Sequence, residues 1–130
     1  MLKFPAGDRI VVNGAVIENA GRGARLRLLT PDTQLLRLRD AIDPAAATTP
    51  VGRITHAVQM VLVGEAAPSR QVPDLLSDLQ TLRGAFVEAR DIADVDAILG
   101  NLRDGQFYQA LRALGRLRKR ESEILAAVAR

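Results

Sequence analysis

The spacing of apolar residues changes once along this chain, and that change limits the possible fold more than any other feature. Arg25-Leu26-Arg27-Leu28 and Leu36-Arg37-Leu38-Arg39 alternate with period two. A strand with one buried face reads this way, with Leu26 and Leu28 inward and the arginines outward. Leu75, Leu79, Leu82 and Phe86 are instead separated by four, three and four residues, as on one face of a helix. Strands and helices kept in separate stretches define the α+β class.

Turn chemistry sets the boundaries. Arg9 to Val12 runs into Asn13-Gly14 and then Ala15 to Asn19. Asn-Gly between β-prone runs predicts a two-residue hairpin, because both residues tolerate positive φ. Ala20-Gly21-Arg22-Gly23 and Thr30-Pro31-Asp32 predict further turns, and Asp43-Pro44 and Thr49-Pro50 bracket a loop of Ala and Thr. Ile54 to Val63 reads as a buried strand, with Ile54, Val58, Met60 and Leu62 on one face. Ile92, Val95, Ile98, Leu99 and Leu102 predict a second helix after that of Leu75 to Phe86. Asp104-Gly105 ends it, and a third helix starts near Gln106, with Ala110, Leu114, Leu117, Ile124 and Val128 apolar. The expected organisation is a small antiparallel sheet or barrel over residues 1–64, a linker over 65–73, and a helical hairpin or three-helix unit over 74–130.

The 130 residues suit one domain, alone or with an appendage. Aromatic residues make up only 3% of them, so the core must be aliphatic. There is no cysteine, which removes disulfides and thiolate chemistry. No basic segment followed by an apolar run opens the sequence, and no stretch nears the roughly 18 apolar residues of a membrane span. A cytoplasmic location without membrane attachment is expected. His56, the single histidine, shares a predicted face with Ile54 and Val58 and has no ligand partner at metal-binding spacing. Ser69, Ser77 and Ser122 lie outside any G-x-S-x-G elbow. Asp91, Asp94 and Asp96 depart from the calcium-loop pattern, and Asp91 or Asp94 fits a helix N-cap or first-turn acid. Gly21-Arg22-Gly23 is too short to cradle a dinucleotide. With no nucleophile, base and oxyanion donor assembled, the chain reads as a non-enzyme without cofactor or metal.

Charge points elsewhere. The net charge is only +3, but it is unevenly placed. Residues 1–64 carry eight cations against five anions, residues 65–100 three against seven, and residues 101–130 seven against three. Basic zones of this kind attract polyanions. Arg25, Arg27, Arg37 and Arg39, on two strands taken as neighbours, would share one sheet face, with Arg53 close by. Arginines at i and i+2 stand about 7 Å apart, near the phosphate spacing of an extended single strand. Guanidinium groups pair with phosphate and stack on bases, so this face is the candidate RNA-binding site. An exposed sheet face kept soluble by charge is the plainer alternative. Arg112, Arg116 and Arg120, with Lys119 beside them, form a stripe on the third helix that suits a partner protein, a second RNA surface or simple solvation.

Several segments carry a family likeness. They are Asn13-Gly14-Ala15-Val16-Ile17-Glu18-Asn19, Leu36-Arg37-Leu38-Arg39-Asp40, Thr48-Thr49-Pro50 with Arg53-Ile54, and Gly105-Gln106-Phe107-Tyr108-Gln109-Ala110-Leu111. In this order and spacing the chain resembles the FlbT family of flagellin regulators. The resemblance implies a post-transcriptional regulator that associates with the 5′ untranslated region of flagellin messenger RNA and represses translation or promotes decay. It implies a FlaF-like protein as functional partner, and a homo-oligomer is compatible with it. The alternative is a protein-interaction module binding FlaF, flagellin or an export factor. The hairpin and Leu38-Arg39-Asp40-Ala41-Ile42 also look like the carbon storage regulator CsrA, by which analogy Arg39 is the RNA-contacting position.

Overall fold

The computed structural model describes residues 2–30 and 33–129. Five short strands come first: β1 (Leu2–Phe4), β2 (Arg9–Val12), β3 (Ala15–Glu18), β4 (Ala24–Leu26) and β5 (Leu35–Arg37). Two 3-10 turns, Leu38–Asp40 and Pro44–Ala46, lead into α1 (Pro50–Leu62), α2 (Pro68–Arg83), α3 (Ala89–Arg103) and α4 (Phe107–Val128). The α+β reading holds. Asn13 (φ 49°) and Gly14 (φ 85°) form the predicted hairpin turn between β2 and β3. Its two left-handed residues match the twist of the flanking strands.

The strands make two antiparallel sheets. β1 pairs with β4, and a second sheet has the order β3-β2-β5. In the second sheet Val11 lies opposite both Val16 and Leu36. Val11 and Leu36 belong to the main core, so this face rests on the helices. Ile10 and Leu35, on the opposite face, are buried outside that core, as is Phe4 of the β1–β4 ribbon. Asn19 joins the two sheets. Its amide donates to Phe4 O at 2.8 Å and to Arg22 O at 2.7 Å.

The predicted strand at Ile54–Val63 is corrected to helix α1. Thr49 caps this helix, its Oγ1 accepting from Gly52 N–H at 3.1 Å, and Pro50 stands at the first position, where no N–H is needed. The large apolar residues it buries are Val51, Ile54, Val58, Val61 and Leu62, a helical spacing, while Met60 is only half-buried. The predicted linker is likewise largely helical. α2 starts on Pro68, and Pro73, exposed and close to its start, removes a single ladder bond. The turn to helical structure therefore comes at Pro50, and α1 adds a fourth helix to the three expected. Each helix packs on the next, and α4 closes back on α1.

Polar clasps hold this arrangement. Gln59 of α1 is buried and meets the main chain of Ile42 twice, accepting its N–H at 2.7 Å and donating to its carbonyl at 3.2 Å. Glu121 of α4 accepts Val51 N–H at 3.0 Å and so covers a free donor at the head of α1. Asp91 is a first-turn acid of α3, as expected, but it is not a cap. It is buried, and Arg120 of α4 donates Nε to both of its oxygens, at 3.0 and 3.1 Å.

Candidate nucleic-acid interface

The four-arginine platform does not form as expected, because the strands taken as neighbours lie in different sheets. β4, with Arg25, pairs with β1; β5, with Arg37, pairs with β2. The alternation also stops early. β4 ends at Leu26, leaving Arg27 and a half-exposed Leu28 in the loop beyond.

Arg37 and Arg39 are further separated by their partners. Arg37 is nearly buried and donates Nε to Asp40 Oδ2 at 2.9 Å. Burial alone would lower its pKa, but the hydrogen bond and charge of Asp40, with Tyr108 beside it, hold it above its ordinary value. Tyr108 OH donates to the same Asp40 oxygen at 3.0 Å. Arg39, half-exposed, faces Asp8 at 3.8 Å. Arg53 stands on α1 at the border of a separate groove, with Leu75 and Asp78 of α2 opposite. The α4 stripe divides as well. Arg120 turns inward to Asp91 and forms an ion pair with Glu88 at 2.9 Å; the hydrogen bond to Asp91 first, with the charges of Asp91 and Glu88, holds its pKa up against desolvation. Lys119 lies by Ala46 and Thr49, Arg116 is exposed, and Arg112 borders an open groove at the start of α4. His56 is half-buried on α1, and among the described residues no metal-holding cluster occurs.

What the structure does bring together was not read from the sequence. Lys3 of β1 lies directly opposite Arg25 of β4, both exposed. Opposed residues of an antiparallel pair share a face, and like charges there repel. Among the described residues neither cation has an ion-pair partner, nor has Arg22, Arg27 or Arg112. Beside the ribbon runs an open groove of about 720 Å³, between the loop after β4 and the start of α4. Arg27 and Arg112 border it, and Gln34, Gln106 and Gln109 offer amides into it. Gln106 caps α4 without a side-chain hydrogen bond. A signal was present in the sequence: residues 19–30 carry three arginines and no acid, and Lys3 alternates between Leu2 and Phe4.

Tyr108 also lines this groove, and it is the only tyrosine of a chain without tryptophan. Burial first, and then the bond to Asp40, raise its pKa above the ordinary 10. A group with a raised folded pKa contributes stability that is present below its unfolded value and lost as pH climbs through the folded one. We therefore expect an alkaline absorbance titration to show one phenol ionising later than free tyrosine, with stability falling over that range. Asp40→Asn should move the titration back toward the free value. An unshifted titration in the native chain would mean that Tyr108 is not held in this cluster.

The sequence matches the family described as Flagellar protein FlbT over residues 1–125. The chain belongs to the FlbT family. Curated relatives cover nearly all of it. A probable flagellum biosynthesis repressor protein FlbT of Chelativorans sp. (strain BNC1) is 33% identical over 97% of this chain and 86% of its own length. The counterpart of Caulobacter sp. (strain K31) is 30% identical over 98% and 96%, and that of Brucella ovis 32% identical over 97% and 82%. No solved structure matches. The FlbT family is one of regulators of flagellar synthesis and is not a known enzyme family. Among the described residues no helix is long and apolar enough to cross a membrane.

Proposed function

We propose that this FlbT-family chain represses flagellin synthesis in the cytoplasm by binding the 5′ untranslated region of flagellin messenger RNA. The observation that carries the reading is the Lys3–Arg25 pair, opposed across the ribbon and, among the described residues, without an ion-pair partner; Arg27 and Arg112 add charge at the groove, which Leu2 and Leu26 line from the ribbon's other face. A phosphate backbone relieves the repulsion between such cations, and its bound counterions are released in exchange. Phe107 is buried and the Tyr108 hydroxyl is engaged by Asp40, so stacking on bases falls to the planar guanidinium groups. The groove amides are suited to base edges. A FlaF-like protein is the functional partner in this reading.

The test is binding to a flagellin leader at several salt concentrations. Each phosphate contact with single-stranded RNA contributes about 0.7 to the log–log salt slope. Lys3→Gln with Arg25→Gln should make the slope shallower by about 1.4, and Arg27→Gln with Arg112→Gln by a similar amount. Arg39→Gln should leave it unchanged. A slope indifferent to Lys3, Arg25, Arg27 and Arg112 would remove the ribbon and groove as the contact surface.

A second reading has one observation of its own. The 480 Å³ groove between α1 and α2 is lined by Ile54, Ala57, Leu75 and Leu82, with Arg53 and Asp78 at its borders. An apolar trough with a charged rim suits a helix of FlaF, flagellin or an export factor. Capture of such a partner from nuclease-treated lysate, abolished by Ala57→Arg with RNA affinity intact, would favour this reading over the first.

A further inference from the structure

The three-stranded sheet ends on β3 with its outer edge open. Asn19 N–H donates to Asp8 O at 2.9 Å and its carbonyl accepts from Gly7 N–H at 2.7 Å, so both main-chain groups of Asn19 point toward the β2 side. Alternation along an antiparallel ladder then makes Ile10–Ile17 and Val12–Ala15 the next bonded pairs. The N–H and C=O groups of Val16 and Glu18 consequently point away from β2. Among the described residues no strand lies beyond β3. All four of its residues are exposed, Val16 at 64% and Ile17 at 44% on opposite faces. Sheet edges are commonly protected by lysine, proline or a bulge. This strand has none of these, and its one charge, Glu18, is engaged by Arg9 at 3.0 Å.

We propose that β3 pairs antiparallel with β3 of a second copy, about a two-fold axis through Val16, to give a continuous six-stranded sheet. An axis normal to the sheet keeps each residue on its own face, so it must pass through a residue position. With the axis on Val16, that residue opposes its own counterpart, Ala15 opposes Ile17, and Glu18 opposes Gly14. Apolar groups then meet apolar groups, the one charge meets a glycine, and the outward groups of Val16 and Glu18 join the ladder. An axis on Ile17 sets Val16 against Glu18 instead. The strand is thus complementary to its own reverse, which an unrelated peptide need not be. So short a contact buries less than the ~800 Å² per partner of stable complexes, and the dimer is accordingly weak and reversible.

Sedimentation of the full chain across the micromolar range tests this. A reversible monomer–dimer equilibrium is expected. Val16→Pro removes an N–H that the chain's own ladder does not use, and it should weaken the dimer more than tenfold while circular dichroism stays unchanged. A second variant does not depend on tolerance of proline. Residues opposed in a bonded pair have Cα atoms about 5.5 Å apart, within disulfide range. The chain has no cysteine, so Val16→Cys should cross-link on mild oxidation far faster than Leu29→Cys, a control at an 82% exposed site. Equal cross-linking rates, or a dimer that survives Val16→Pro, would overturn the proposal. So would a chain monomeric at every concentration, whose edge then belongs to an extended segment of another protein.

Discussion

Gln59→Leu should lower the stability of this chain by about 3 kcal/mol, although the two side chains are close in size. The Gln59 amide meets both main-chain groups of Ile42 and is buried with it. Leucine leaves an N–H and a carbonyl without partners and without water, at a cost of ~1–3 kcal/mol each. For a chain of this size a urea slope of about 2 kcal/mol/M turns that loss into a midpoint lower by roughly 1.5 M. Gln59→Glu separates hydrogen bonding from shape. A protonated carboxyl can still donate to the Ile42 carbonyl, while a buried carboxylate cannot. Its folded pKa should lie above the unfolded ~4.3, so its stability should persist in acid and decline as pH rises through the folded value. A Gln59→Leu chain as stable as the native one would mean that the segment after β5 is not fastened to α1 in this way.

Leu114→Ala should cost a similar ~3–4 kcal/mol by a different route. Leu114 is wholly buried on α4, the helix packed against both α1 and α3. Removing its isobutyl end forfeits transfer energy and leaves a cavity that surrounding helices fill only in part, within the ~2.7–5 kcal/mol range of such substitutions. Thermal unfolding should fall by about 10 °C or more. Leu114→Met, which conserves volume, should cost less than ~1.5 kcal/mol, and Leu29→Ala, at the surface, close to nothing. A loss under ~1 kcal/mol for Leu114→Ala would contradict the central place of α4.

Legibility in the sequence followed the range of the interaction. The Asn13-Gly14 hairpin was readable because two adjacent residues carry the whole backbone requirement. The helices with polar faces, α2 to α4, were readable from their spacing. α1 was misread because a run of apolar residues fits a strand or a buried helix equally well. What decides is Thr49-Pro50, which starts a helix here although it also serves as a turn signal. The arginines failed at a longer range. Nothing local to residues 24–39 dictates that β4 goes to β1 and β5 to β2, or that Asp8 comes to face Arg39. Only the Arg37–Asp40 contact, three residues apart, was within local reach. Lys3 escaped notice because its importance comes from its register against Arg25.

The bonds from Arg120 to Asp91 and from Glu121 to Val51 have a consequence for biosynthesis. A ribosome makes α1, α2 and α3 well before it reaches positions 120 and 121, and domains generally begin folding as they emerge. Until the later part of α4 arrives, α3 holds a carboxylate approached only by the exposed Arg90, at 4.0 Å, and α1 presents an uncovered donor at its head. The nascent bundle must therefore stay loose and hydrated at that end, and it becomes fastened only when a late pair of adjacent residues arrives.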